Sequence, residues 1–424
     1  MFYLLLTFLI IFNPVLDIGL GPFSDLIVLL SLFLILVWLI FYKSNKIDSF
    51  IIDLSILLLI IFVFSSIALV TTDIQYFVEG LRGPLRPIRA LITMLGCYLL
   101  CRFYLEKYGE NKIKDIVPKH IYYAISFHAL IMTLQFFIPE FRDAIYSFTT
   151  AKNQIEFYQE FRMAGLAGAG GAQISAFQSL GFFIGLHLAF NSKIKFPVFL
   201  IAQLLIILSC FFSGRTGLYI IFVGSLAYIP IAFYFQNFRG LKRFMFGSIA
   251  VLTLFIGSFS LFYSSNFFDI QFLSVAFQRN FEAFLSFQET GSFQESTIST
   301  LFEMIILPSD FETIVFGDYR LWADSGAHGS GLPRILESDI GYIRFLWSYG
   351  IFVSILNYIF YIFLAYYVWK SKSHSSLKFL CIFLISMIFI LHFKEIFIFT
   401  RTGLSIISLI SFSTIMRHNV ALAK

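Results

Sequence analysis

Charge is scarce in this chain. Asp, Glu, Lys and Arg together make up 13% of 424 residues, against about 25% in soluble globular domains. A surface so poor in charge does not suit a water-soluble globule. It also offers no basic stripe, so the net charge of +5 gives no reason to expect nucleic-acid binding. Cysteine is scarce too. Cys97, Cys101, Cys210 and Cys381 all lie inside apolar runs, a poor setting for a disulfide framework or a zinc site, and read as packing residues at lipid depth. No Pro-, Gly- or Ser-rich linker divides the chain, which reads as a single integral membrane domain over 1–424. The first residues, Met1 to Phe12, lack a basic segment and a small-residue cleavage site, so they are expected to form a first span and not a removable signal.

What the chain has in abundance is apolar and aromatic: 58% hydrophobic residues, 19% aromatic, 57 of them phenylalanine. A membrane span needs about 20 apolar residues, because the hydrocarbon core is about 30 Å thick and a helix rises about 1.5 Å per residue. Repeated runs of that length fit helices and not barrel strands. The spacing predicts an all-α polytopic membrane protein of about 12 transmembrane helices. They are expected at 2–20, 23–42, 50–70, 85–105, 118–138, 172–190, 195–212, 216–236, 244–263, 339–368, 377–392 and 397–416. The even number puts both termini on one side.

Lysine and arginine divide between the two sides. Of 15 lysines, 13 fall on the side of the termini, and of 15 arginines, 11 fall on the other. Lysines confined to one face mark it as cytoplasmic. Of the 25 acidic residues, 20 lie on the outer side, which agrees with that orientation without setting it. An outer face rich in arginine needs a further reason. Arginine presents a planar fork that pairs bidentately with phosphate or carboxylate, so the distribution points to anion recognition outside the cytoplasm.

Two outer connections are long enough to be structured, 139–171 and 264–338. In the second, Gln271 to Gln288 places Phe272, Val275, Ala276, Phe281, Phe284 and Leu285 near helical spacing, as in a helix lying in the interface. The sharpest local signal is Ser213-Gly214-Arg215-Thr216-Gly217-Leu218, where one span reaches the outer surface and the next begins. Ser213, the glycines and the amides opening the next helix would surround Arg215 with donors, making an anion site at a helix N-terminus. The alternatives are that Arg215 snorkels to headgroups or neutralises an acid. Thr400-Arg401-Thr402-Gly403-Leu404 repeats the pattern at the last span, just after His392, Lys394 and Glu395. There Arg401 is either a second substrate contact or a headgroup anchor. Arg162 leads into the glycine run Gly165 to Gly171. Arg82, Arg86 and Arg89, with Pro84 and Pro87, form a basic turn for which lipid headgroups are the expected partner. The large loop carries Arg320, Asp324, His328, Arg334, Glu337 and Asp339 within 20 residues. His328 is a candidate base for a sugar hydroxyl. Glu337 and Asp339 compete for that role, or pair with Arg334, or cap the helix beginning near Ile340.

These features resemble the Wzy-type O-antigen polymerases and their O-antigen ligase relatives. The resemblance rests on the many spans, the long outer loop before the tenth, the Ser213-Gly214-Arg215 turn, and Asp339-Ile340-Gly341-Tyr342-Ile343 leading to Gly350 and Ile351. It extends over most of the chain, though its motifs are short. Arg320 and Gly331, ten residues between them, match the arginine–glycine pattern of that family's outer loops, whereas Gly171 follows Arg162 after eight. The resemblance implies a GT-C-like fold in a bacterial cytoplasmic membrane. It implies outer-face arginines holding a diphosphate, with Arg215 the matching position, and His328 in the position of the base. The implied reaction moves an oligosaccharide from undecaprenyl diphosphate to the terminal sugar of a lipid-linked acceptor, with no cofactor. A chain-length regulator is an implied partner. No Asp-x-Asp motif is present, so metal-independent chemistry is expected. A ligase of the same fold and a lipid-linked oligosaccharide flippase stay open as alternatives.

Overall fold

The computed structural model describes residues 1–12, 26–41, 47–69, 81–149, 163–167, 171–235, 280, 282, 286, 302–317 and 338–417. Regular structure among them is helical. In chain order the helices are α1 (Phe2–Ile11), α2 (Leu26–Phe41), α3 (Ser49–Leu69), α4 (Arg82–Tyr108), α5 (Glu110–Phe137), α6 (Pro139–Phe148) and α7 (Gly171–Phe190). They continue with α8 (Phe196–Ser213), α9 (Arg215–Phe235), α10 (Phe311–Phe316), α11 (Gly341–Lys370), α12 (Ser375–His392) and α13 (Arg401–Ile415). Seven of them, α3, α4, α7, α8, α9, α11 and α12, are long and apolar enough to cross a membrane. An eighth crossing is possible if α5 and α6, bent by 118° at Ile138, count as one span. Three shorter apolar helices, α1, α2 and α13, fall where spans are expected from sequence. The ninth expected span, 244–263, lies outside the described residues, as does most of the 264–338 loop.

Packing separates the chain into two compact units. One comprises 1–25, 111–295 and 374–380, and the other 26–110, 296–373 and 381–424. In the first, α7 packs against both α8 and α9. Its sequence explains its central place: Gly171, Ser175, Ala176, Ser179, Gly181 and Gly185 keep much of it narrow, so neighbours approach closely. On α9, Gly217 lies so near Ser175 that a side chain there would run into the α7 backbone. In the second unit α4 is central, packing against α2, α3 and α13, and α11 packs against α3 and α13.

The long helix α11 breaks at Gly350, whose φ of 65° and ψ of 178° lie outside the helical region. Only glycine adopts that conformation readily. From Gly350 to Lys370 is 20 residues, about 30 Å of helix, enough by itself to cross the hydrocarbon core. The short helix α10 docks at this break, with the Val315 carbonyl against Gly350. Phe302, Leu307, Phe311 and Phe316 around α10 stay exposed, as do Ile351, Phe352 and Ile355 of α11. Large apolar side chains exposed in this number suit an apolar surface better than water.

Candidate functional site

In the first unit the site residues grow out of the α8–α9 junction. α8 ends at Ser213, Gly214 is extended, and α9 opens on Arg215. Its opening turn is held from a third helix. The Ser175 hydroxyl of α7 accepts the Gly217 N–H at 2.9 Å and sits against the carbonyls of Gly214 and Cys210. Ser175 thereby does for α9 what an N-cap residue does from within its own chain segment. The Arg215 side chain is 14% exposed, and its Nη1 donates to the Glu282 carboxylate at 2.5 Å. The carboxamide of nearby Asn280 donates to the Phe211 carbonyl at 3.0 Å, attaching the same segment of the large loop to the end of α8. Ser213, expected to add a donor beside Arg215, is buried, and its hydroxyl donates back to the Ser209 carbonyl at 2.7 Å.

The described residues that follow Arg162, Met163 to Ala167, form a non-helical segment, buried apart from the half-buried Leu166. Four successive amides find four partners: Met163 donates to the Phe212 carbonyl at 2.9 Å and Ala164 to the Tyr146 hydroxyl at 3.3 Å. Gly165 donates to Gln135 Oε1 at 3.0 Å and Leu166 to His128 Nε2 at 3.0 Å. Unpaired backbone in a membrane costs several kcal/mol per group. The buried polar side chains of His128 and Gln135 on α5 are explained by that demand. Because Nε2 of His128 accepts, the proton of the neutral ring sits on Nδ1, 2.7 Å from the Gln178 carboxamide, whose oxygen must be the atom turned toward it to accept.

In the second unit Arg401 opens α13 after Thr400, whose hydroxyl donates to the Phe397 carbonyl at 2.8 Å. Both Arg-Thr-Gly-Leu tetrapeptides therefore begin helices, one in each unit. Asp339 lies 3.7 Å from Arg344, whose Nε donates to the Ser338 carbonyl at 2.5 Å. α11 starts after Ile340 without a side-chain cap. Arg162, Arg320, His328, Arg334 and Glu337 lie outside the described residues.

Arg86, which sequence assigns to lipid headgroups, is turned inward. It is 6% exposed, and its Nη2 donates to the Ile398 carbonyl at 2.5 Å. Its guanidinium lies 5.4 Å from the centre of the Phe345 ring, a cation–π contact. The same Phe345 ring stands 4.7 Å from His392, fully buried at the end of α12. Phe399, between α12 and α13, holds φ at 54° and donates its N–H to the Tyr361 hydroxyl at 3.1 Å. A bulky residue in the left-handed region costs on the order of 1–3 kcal/mol and marks a turn that its surroundings over-determine.

Comparison with protein-family models, with curated proteins and with solved structures finds no match to this chain. What the helices themselves define is the class: an all-α, multi-pass membrane protein.

Proposed function

We propose that this protein is a glycosyltransferase of the bacterial cytoplasmic membrane. It polymerises lipid-linked oligosaccharide repeat units at the outer face, from an undecaprenyl diphosphate donor to the terminal sugar of a second lipid-linked unit. The observation that carries this reading is the Arg215 turn. Its guanidinium sits at a helix opening fixed by Ser175 and already presents an N–H to a carboxylate, that of Glu282. A carboxylate and a phosphate offer the same kind of oxyanion to this fork. In the reaction, the acceptor hydroxyl oxygen bonds to the donor's anomeric carbon as the bond from that carbon to the diphosphate oxygen breaks. The electron pair leaves with undecaprenyl diphosphate, and the hydroxyl proton passes to His328 or Glu337. Arg215 stabilises the charge gathering on the leaving group, a role for which Arg401 and Arg320 are the other candidates. Arg162 and Arg334 are further contacts to the diphosphate or sugar, and Asp339 remains a third candidate base.

The test is a reconstituted reaction. Purified protein in nanodiscs, given only its lipid diphosphate-linked repeat unit, is expected to produce a ladder of polymers, and Arg215→Ala to abolish it. No ladder from wild type, but product when a different acceptor is added, would replace polymerisation with ligation. No product with any acceptor would overturn glycosyl transfer in favour of transport.

A further inference from the structure

Arg86 and His392 are two buried cation or donor groups that the Arg215 site does not use. Among the described residues no carboxylate pairs with Arg86. Its Nη2 is bonded to Ile398 and the Tyr349 hydroxyl also faces the guanidinium, but its Nε–H is buried and meets no acceptor. His392 is in a similar position. Its Nδ1 accepts the Phe397 N–H at 3.1 Å, so the proton of the neutral ring is on Nε2, and that N–H too is buried without an acceptor. A guanidinium withdrawn from water and left without a counter-charge is strongly unfavourable, and within a membrane protein such a group marks a site. Both donors border one ring, Phe345, and the turn that supplies the Ile398 carbonyl also contains Phe399 in its left-handed conformation. The missing partner is an acceptor of negative charge.

We propose that Arg86 and His392 form a buried oxyanion site in the second unit, and that its occupant is the phosphate of a lipid. The aromatic rings against these groups, Phe345 and Tyr342, favour a ligand that brings a hydrocarbon tail over a free inorganic ion. Two lipids carry that chemistry: a bilayer phospholipid and the lipid-linked diphosphate substrate. The second source rests on the proposed function, and the first does not.

Full-length protein, delipidated in detergent, would be titrated with undecaprenyl diphosphate, with a short-chain phosphatidylglycerol, and with a short-chain diacylglycerol lacking phosphate. Thermal unfolding follows binding, because a ligand of the folded state alone raises the midpoint, and by more the tighter it binds at a given concentration. A saturable rise with a phosphate-bearing lipid and none with diacylglycerol is expected. Arg86→Lys, which keeps the charge but loses the Nε–H, and His392→Phe, which keeps the ring but loses its nitrogens, are each expected to weaken that binding at least tenfold. Arg215→Ala is expected to retain the phosphatidylglycerol response. If undecaprenyl diphosphate alone stabilises, the substrate is the occupant; if phosphatidylglycerol does so, it is the headgroup. No saturable rise with either lipid, or equal affinity in wild type and whichever of the two variants folds, would overturn the site. That result would leave the transfer reaction untouched, since it is read from polymer formation.

Discussion

Ser175 is the smallest group on which the Arg215 turn depends. Its hydroxyl caps the opening of α9 by accepting the Gly217 N–H, and it lies on a different helix. Removing a cap of this kind costs about 1 kcal/mol. Ser175→Ala is therefore expected to lower the thermal midpoint modestly and to weaken polymer formation more than stability, because the Arg215 helix opening loses its anchor. Glu282 makes a second residue-level prediction. It occupies the oxyanion position at Arg215, so donor diphosphate must displace it. Glu282→Gln removes the competing charge and is expected to lower the KM for the donor; an unchanged or higher KM would show that Glu282 orients Arg215 and does not compete for it. Asp310 gives a pH dependence outside the spans. The Thr313 N–H donates to its carboxylate at 2.7 Å and holds its pKa below the ordinary range. A depressed folded-state pKa stabilises above the unfolded value, about 3.9, and that stabilisation fades as pH falls through the folded one. The protection of α10 amides, taken relative to their intrinsic exchange at each pH, is expected to fall at acid pH in wild type and to lose that dependence in Asp310→Asn.

At the scale of elements, the break in α11 and the docking of α10 form one device. Gly350 turns α11 where the remaining helix is just long enough to cross the bilayer, and the space left by its missing side chain receives the Val315 carbonyl. Replacing a glycine at positive φ with alanine costs more than the 0.4–1 kcal/mol gained where alanine fits. Gly350→Ala is thus expected to destabilise the protein and to free α10, seen as faster proteolysis within 302–317. The spans themselves were legible in sequence because runs of apolar residues long enough to cross a bilayer have few other uses: α3, α4, α7, α8, α9, α11 and α12 begin and end within a few residues of expectation. The bend at Ile138 was less so, since Pro139 signals a helix start as well as a break. Side-chain partners were least legible. Nothing local to Arg215 names Glu282, 67 residues away, and nothing near Arg86 names Ile398, 312 residues away. Such pairings are set by tertiary packing, which periodicity does not encode. His128 and Gln135 were missed for a related reason. They serve the backbone of a distant loop, and their own neighbourhood reads as an ordinary apolar helix.

For the whole molecule, orientation decides whether an outer-face reaction is possible at all. Lys193 and Asp115 pair at 2.6 Å in one unit, and Arg102 lies 3.9 Å from Asp48 in the other. Each pair joins residues that the lysine distribution assigns to the cytoplasmic face. Arg215 and Glu282 join two from the opposite face. The exposed Lys193–Asp115 pair contributes at most about 1 kcal/mol, so its value is topological: these three pairs each keep both partners on their assigned side. The four cysteines, Cys97, Cys101, Cys210 and Cys381, are all free and buried, which leaves a low background for labelling with a membrane-impermeant maleimide. Asp143, Lys193 and Lys372 are exposed positions for single cysteines. In intact cells Asp143→Cys is expected to label, and Lys193→Cys and Lys372→Cys only after the membrane is opened. The reverse pattern would place Arg215 and the large loop in the cytoplasm, where nucleotide-sugar donors are available, and would remove the reason for a lipid-linked donor.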